Sequence, residues 1–317
     1  MRFAPRCPGL PVRLASLSVG VCLAACSPGD RSSLSTALPG APPTGRVPPN
    51  PGIPAVPSSA SRTFQAGEGS VIRDSTGLRP PSTLRDQTRP TVPLQTHRLR
   101  TGGVTLTILT FDASTHHLAV VDNEGGPGTG ATSSQAAARS NHAIAGINGG
   151  FFTPEGKALG LVIEDRSEFG ALNSSSLGAG LYVHDPRAGA TRLVRRGAWS
   201  RSGTETHLLQ SGPLLVENHA LVPGLSNTRP RPRSFLLWDG HQGWAMGHAS
   251  SITLAALGVT LASQPVPAFT IKSALNLDGG TSSDLWVAAT VKGGPASTRR
   301  LWSKPARNYL VLQRSRR

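Results

Sequence analysis

Cysteine is nearly absent: Cys7, Cys22 and Cys26 are the only three in 317 residues, and all lie near the amino terminus. No disulfide or zinc-thiolate centre can therefore form within the chain after Cys26, and that part must be held by packing and hydrogen bonds. Aromatic side chains are scarce too, at 5% with two Tyr and five Trp. A net charge of +15 would suit nucleic acid, but the basic residues are scattered and there is no aromatic platform to go with them. Nucleic acid is excluded as the expected partner. The charge fits either a solvated Arg-rich surface or attraction to an anionic membrane or glycan. No fixed-period repeat is present, which argues against a solenoid or propeller.

The amino terminus has the form of an export signal. Arg2, Arg6 and Arg13 precede an uncharged apolar run from Leu14 to Ala25, which Ser27-Pro28-Gly29-Asp30 ends. The run falls short of the roughly 20 apolar residues a spanning helix needs. It closes on Leu23-Ala24-Ala25-Cys26, which resembles the bacterial lipobox, with Cys26 as the lipidated residue. An ordinary cleaved signal followed by an incidental Cys is the other reading. The expected location is the bacterial cell envelope, with the chain exported and tied to a membrane through a lipid anchor. Residues 1–25 are the signal, and residues 26–96 form a Pro/Ser/Gly-rich linker with little apolar periodicity, exemplified by Pro48-Pro49-Asn50-Pro51-Gly52.

Residues 97–317 carry the folded pattern. Val104–Phe111 and Leu118–Asp122 alternate about Asp112-Ala113-Ser114-Thr115-His116 and read as a hairpin-like pair. Ser133–Ser140 has helical character, and His142–Ile147 reads as a buried strand. Further strands are expected at Leu159–Glu164, Leu181–His184, Pro213–Val216, Ser234–Trp238, Leu275–Leu277, Leu285–Ala289 and Asn308–Leu312. A second helix is expected through Ile252 and Leu257, capped by Ser250 or Ser251. The fold class is α+β, a single domain with a mixed, strand-rich sheet and a few helices. Nothing in the sequence specifies an oligomeric state.

Two glycine pairs follow expected strands, each directly after a polar side chain: Asn148-Gly149-Gly150 and Asp278-Gly279-Gly280. Glycine permits close approach of backbone to a ligand, so such turns can form anion nests; either can also be a plain tight turn. Neither fits a Walker loop or a dinucleotide fingerprint. No Gly-x-Ser-x-Gly elbow appears, and His207, His241 and His248 lack the spacing of a zinc site. No cofactor and no tightly bound metal is expected, though Asp278 with neighbouring carbonyls can hold a weak calcium or magnesium ion.

In their order, these segments resemble the phosphodiester glycosidase family. The resemblance rests on Asn148-Gly149-Gly150-Phe151-Phe152, Gly160-Leu161-Val162-Ile163-Glu164 and Gln210-Ser211-Gly212-Pro213-Leu214-Leu215. It continues through Arg231-Pro232-Arg233-Ser234, Leu277-Asp278-Gly279-Gly280-Thr281-Ser282-Ser283 and a closing Lys304-Pro305-Ala306-Arg307-Asn308. Thr281, Ser234 and Asp284 depart from the family's common pattern, and Asp284 places a negative charge next to the second glycine pair.

The resemblance implies an enzyme that cleaves a sugar's anomeric carbon from a phosphodiester oxygen, acting on a sugar-phosphodiester or anionic glycan. Asp278 is the expected catalytic base or nucleophile, with an Asx-turn as its alternative role. Glu164 is the candidate second carboxylate, or else an edge-strand charge. Arg231 and Arg233 offer planar forks for phosphate. Asn148, Gln210 and Ser234, the amides of Gly149, Gly150, Gly279 and Gly280, and the hydroxyls of Thr281, Ser282 and Ser283 are the expected substrate contacts. A non-catalytic glycan or cell-wall binding lipoprotein of the same fold is the alternative. Cys26→Ser is expected to release the chain from the membrane fraction of expressing cells and to abolish incorporation of a labelled fatty acid. Unchanged labelling of that variant would contradict lipidation at Cys26.

Overall fold

The structure is a computed structural model that describes residues 91–267 and 269–315. The export signal, Cys26 and the linker as far as residue 90 lie outside the described residues.

The chain forms β1 (Gln95–Thr101), β2 (Val104–Asp112), β3 (His116–Asp122), helix α1 (Ser134–Ser140), β4 (Ala145–Asn148), β5 (Val162–Glu164), β6 (Ser167–Phe169), β7 (Gly180–Asp185), β8 (Ala190–Arg195) and β9 (His207–Ser211). It continues with β10 (Leu214–Glu217), β11 (Ala220–Leu221), β12 (Arg231–Trp238), β13 (Gly243–Ile252), helix α2 (Leu254–Ala262), β14 (Ser273–Asn276), β15 (Leu285–Val287), β16 (Ala296–Ser297) and β17 (Asn308–Arg314). The strand-rich α+β class is as expected. The strands, however, divide among three sheets, in the orders β1-β2-β13-β12-β14-β10-β11, β16-β15-β4-β17-β3 and β6-β5-β9-β7-β8. Every pairing between these strands is antiparallel, so the sheet is not mixed.

Two local expectations are corrected. The stretch from Asp112 to His116 does not close a hairpin, because β2 pairs with β1 and β13 while β3 pairs with β17 in a different sheet. Asp112 makes the switch: its Oδ1 accepts the Ser114 N–H at 2.9 Å and its Oδ2 accepts the Val92 N–H at 3.1 Å, which turns the chain out of the first sheet. The second helix starts later than expected because β13 runs on to Ile252, which pairs with Arg231. Thr253 then caps the helix, its hydroxyl accepting the Ala256 N–H at 3.2 Å.

The first sheet is covered on both faces, which is why β2 and β12 read as nearly continuous apolar runs. One face, with Leu106, Ile108, Phe235 and Leu237, packs beneath Leu257 and Leu261 of α2. The other, with Leu109, Phe111, Trp244 and Leu275, meets Leu118 and Ile147 of the second sheet and Tyr182 of the third. All three sheets thus share one core. Each fully buried large apolar side chain there contributes about 1.5–3 kcal/mol.

Tyr182 sits at the junction, edge-on to Trp244 with ring centroids 5.5 Å apart. Its hydroxyl donates to the Leu118 carbonyl at 2.8 Å, joining the third sheet to the second, and burial raises its pKa far above the ordinary tyrosine value. Tyr182→Phe is expected to cost about 1 kcal/mol, read as a fall of about 2–4 °C in melting temperature. An unchanged midpoint would show that the bond does not join the sheets.

Candidate active site

β4 ends on Asn148, a fully buried amide in an otherwise apolar strand. Such a group must be bonded, and it is. Its Nδ2 donates to the Asp278 carbonyl at 2.8 Å, and its Oδ1 accepts the Ser234 hydroxyl at 2.6 Å and the Asp284 N–H at 3.0 Å. Leu277 N–H donates to the Ser234 carbonyl and Asp278 N–H to the Gly149 carbonyl, at 2.9 and 3.0 Å. The end of β4, the middle of β12 and the residues just after β14 therefore meet at one point, although they are far apart in sequence.

The two glycine pairs serve different purposes. Gly149 N–H donates to the Asn308 carbonyl at 2.8 Å and Gly150 N–H to Asn308 Oδ1 at 2.7 Å, so both amides are already bonded within the fold. A Cβ on Gly149 would collide with the Asn308 side chain, and one on Gly150 would lie 2.9 Å from the Gln210 carbonyl oxygen. The first pair is thus a close-packing device and not an anion nest. In the second pair, Gly280 takes φ +68°, the left-handed region that favours glycine. Gly279 N–H bonds Asp278 Oδ1 at 2.8 Å, whereas the Gly280 and Thr281 N–H groups have no backbone acceptor outside the short 3-10 turn Gly280–Ser282 among the described residues.

Asp278 lies part-buried at this turn. Burial pushes its carboxyl up to about 6, against the opposing pull of Ser282, the Gly279 N–H and Arg233. The Arg233 guanidinium is braced by the Ile252 and Arg229 carbonyls, at 3.3 and 3.1 Å, and its Nη1 lies 3.3 Å from where a Gly279 Cβ would stand. Burial and Arg231 lower its pKa, while Asp278 supports its charge. Arg231, Pro232, Gly279, Gly280, Thr281 and the exposed Trp302 line an open cleft of about 310 Å³. Of the other hydroxyls, Ser282 and Ser283 are buried and Thr281 is exposed.

Asp284 neither faces solvent nor points to the cleft. It is 2% exposed, its Oδ2 accepting the Ser134 N–H at the start of α1 at 2.9 Å and Arg299 at 3.2 Å. The charge that departs from the family pattern is therefore neutralised inside the fold.

Two expected residues are placed elsewhere. Gln210 is a buried bracket: its Oε1 accepts Leu161 and Asn173 N–H groups at 3.0 and 2.8 Å, and its Nε2 donates to the Asn173 and Gly178 carbonyls, both at 2.8 Å. That uses its full capacity and leaves none for substrate. Glu164 accepts the Asp122 N–H at 2.9 Å and is held chiefly by burial above the usual carboxylate range, next to Asp122 and Asp165. No contact joins it to Asp278 among the described residues.

Two residues given no role by sequence belong to the site's surroundings. Asn308 fixes the first glycine pair; its position in the closing family block was the available signal. His248 pairs with Ser234 across β12 and β13, on the same sheet face. It is buried with Nε2 unpartnered, and burial and then Arg300 lower its pKa to about 4. No spacing motif marks it. Among the described residues no group of three or more His, Cys, Asp or Glu stands ready around a metal ion.

A family model described as phosphodiester glycosidase matches residues 141–313. The fold is similar to the catalytic domain of zebrafish N-acetylglucosamine-1-phosphodiester alpha-N-acetylglucosaminidase, described as auto-inhibited by its pro-peptide. The TM-score is 0.52 at 14% identity, over 73% of this chain and 85% of that one. A hypothetical protein from Synechocystis is similar at TM-score 0.50 and 14% identity, over 70% of this chain and 62% of that one. Comparison with curated proteins returns no match.

The raised Asp278 carboxyl gives a prediction with a definite sign. Below its ordinary value of 3.8 it is protonated folded and unfolded, and contributes nothing; as pH rises through about 6 the folded state bears the full cost of ionising it. Asp278→Asn is therefore expected to raise the melting temperature at pH 7.5 and to leave it unchanged at pH 3.5. A variant less stable than the parent at pH 7.5 would show that the carboxylate is held favourably.

Proposed function

Since this chain belongs to the phosphodiester glycosidase family, we propose that it hydrolyses the bond between a sugar's anomeric carbon and a phosphodiester oxygen. The observation that carries this reading is one carboxyl of raised pKa facing Arg233, on the residue just before Gly279 and Gly280, which line an open cleft together with Arg231. Water adds to the anomeric carbon, the bond to oxygen breaks, and the electron pair leaves with the phosphate as a phosphomonoester. That leaving group is weakly basic, so the oxocarbenium-like transition state needs little protonation and one carboxylate can serve. Above about pH 6 Asp278 is ionised and acts as base or nucleophile. The arginine forks balance the charge building on the departing phosphate, and Trp302 offers an exposed ring against which an apolar sugar face can lie.

The same reading places the domain in the bacterial envelope, tethered through Cys26 and the linker, with an anionic glycan or sugar-phosphodiester as its substrate. A non-catalytic glycan-binding role has one observation in its favour: among the described residues, those lining the cleft include no carboxylate.

The test is sugar release from a panel of sugar-1-phosphodiesters, followed by reducing-end assay and phosphate analysis. The parent is expected to release free sugar and phosphomonoester in equal amounts. Asp278→Asn should lower kcat by on the order of 10²–10⁴-fold, with the limb of the pH profile near 6 lost, and Arg233→Ala should raise KM. Binding without release by the parent across the panel would select the glycan-binding reading.

A further inference from the structure

The two most exposed large apolar side chains among the described residues are neighbours: Leu301 is fully exposed and Trp302 is 63% exposed. They occupy the middle positions of a turn from Arg300 to Ser303, between β16 and β17. Single apolar residues scattered over a surface need no explanation, but an adjacent pair at the tip of a turn does. Trp302 borders the cleft, whereas Leu301 is not among the residues that line it and has no role in the reaction proposed above.

The tip is held out by its base. Ser303 N–H donates to the Arg300 carbonyl at 3.0 Å and Arg300 N–H to the Ser303 hydroxyl at 3.0 Å, which closes the turn from both sides. Lys304 N–H donates to the Thr281 carbonyl at 2.9 Å, and the Arg300 guanidinium to the Ser250 carbonyl of β13 at 2.6 Å. Arg299 donates to the Ser303 carbonyl at 3.3 Å and pairs with the buried Asp284 at 3.2 Å. With its base fixed in this way, the turn has little ordering entropy left to lose when its apolar pair enters another medium.

Cations flank the pair. The Arg300 guanidinium lies 5.6 Å from the centre of the Trp302 ring, Lys304 is exposed two residues on, and the exposed Arg231 lines the cleft beside Trp302. The carboxylates of the adjoining turn are already engaged: Asp284 is buried against Arg299, and Asp278 faces Arg233. An occupant of this surface must therefore be anionic at its face and apolar beneath. A bilayer containing anionic lipid meets both demands, with phosphates for the cations and the acyl boundary for Leu301. The chain's own residues 26–90 do not, since they carry seven Arg against four Asp and Glu, and a second copy would bring the same cationic patch. A soluble polyanion would use the cations and leave Leu301 without a purpose.

We propose that the Arg300–Ser303 turn docks on a bilayer surface containing anionic lipid, inserting Leu301 and setting Arg231, Arg300 and Lys304 against the headgroup phosphates. Trp302 then lies at headgroup level, where an indole is favoured and where its ring still borders the cleft. So small an apolar tip makes a weak, reversible contact. It orients the domain and does not retain it, in keeping with the expected release of the Cys26→Ser chain from the membrane fraction. The cleft's mouth is thereby brought to the headgroup layer. The inference requires no turnover and stands apart from the proposed hydrolysis.

The test uses the full chain with Cys7, Cys22 and Cys26 replaced by Ser, so that no lipid is attached and one new Cys carries an environment-sensitive fluorophore. With Leu301→Cys, phosphatidylglycerol vesicles are expected to shift the emission to the blue and brominated acyl chains to quench it, whereas phosphatidylcholine vesicles leave it unchanged. With Ala188→Cys, on the exposed turn between β7 and β8, neither vesicle should change it. Adding Lys304→Gln to the Leu301→Cys chain should raise the lipid concentration at half-change about 5-fold. A readout without dye guards against an effect of the label: in the Cys26→Ser chain, phosphatidylglycerol vesicles should slow hydrogen exchange at the Leu301 and Trp302 amides, read by mass spectrometry. An unchanged signal at residue 301, an equal change at residue 188, or an equal response to phosphatidylcholine would each overturn the proposal. So would the same shift produced without lipid, either by dextran sulfate, which would mark a polyanion site, or by raising the protein concentration, which would mark self-association.

Discussion

The buried side chain of Asn148 is the constraint on which the cleft depends. A primary amide in a dry interior must use its donors and acceptor or it destabilises the fold. Here its bonds go to the Asp278 carbonyl, the Ser234 hydroxyl and the Asp284 N–H, tying together three segments that strand pairing brings alongside it. Asp278 is positioned through its backbone in this way, which leaves its carboxyl to the Gly279 N–H and Ser282, facing Arg233. The arrangement resembles a catalytic support more than a catalytic group. Asn148 holds the Asp278 turn in place through its backbone.

Much of this was legible because chemistry and backbone demand fall on the same short motifs. The glycine pairs, Arg233 and Asp278 stand out in sequence because a close-packed turn beside a polar side chain is written in consecutive residues. The division into three antiparallel sheets was not legible, since periodicity reports that a strand is buried but not which partner buries it. The Asp112–His116 turn shows this: its composition suits a hairpin, and only the bonds to Ser114 and Val92 send the chain into another sheet. Gln210 illustrates the converse. A polar residue at a strand end looks the same in sequence whether its amide meets a ligand or braces loops. His117, His184 and His207 are 67 and 23 residues apart; the register of β7 and β9 sets His184 against His207, and packing of the second sheet on the third brings His117 beside them.

Arginine takes over part of the work that disulfides do in cysteine-rich domains. Nη1 of Arg196 donates to the Asn173, Ser175 and Gly178 carbonyls, at 2.9, 2.9 and 3.0 Å, and so pins the loop that also meets Gln210. Arg307, 6% exposed, pairs with Asp122 at 2.6 Å and bonds the Glu124 and Gly156 carbonyls. A planar fork can satisfy several carbonyls at once, which a lysine cannot. The positive charge of the chain is therefore partly architectural, and its net value overstates what is presented to a partner.

The contact between Gly149 and Asn308 has an evolutionary consequence. Because any side chain at Gly149 would strike Asn308, and one at Gly150 would crowd the Gln210 backbone, the floor under the cleft is closed to gradual change. The rim is the opposite: Leu301 is fully exposed and Trp302 largely so, on a stretch held by a few hydrogen bonds. Variation among descendants of this fold is thus channelled outward. The floor can be inherited unchanged while the rim is rewritten.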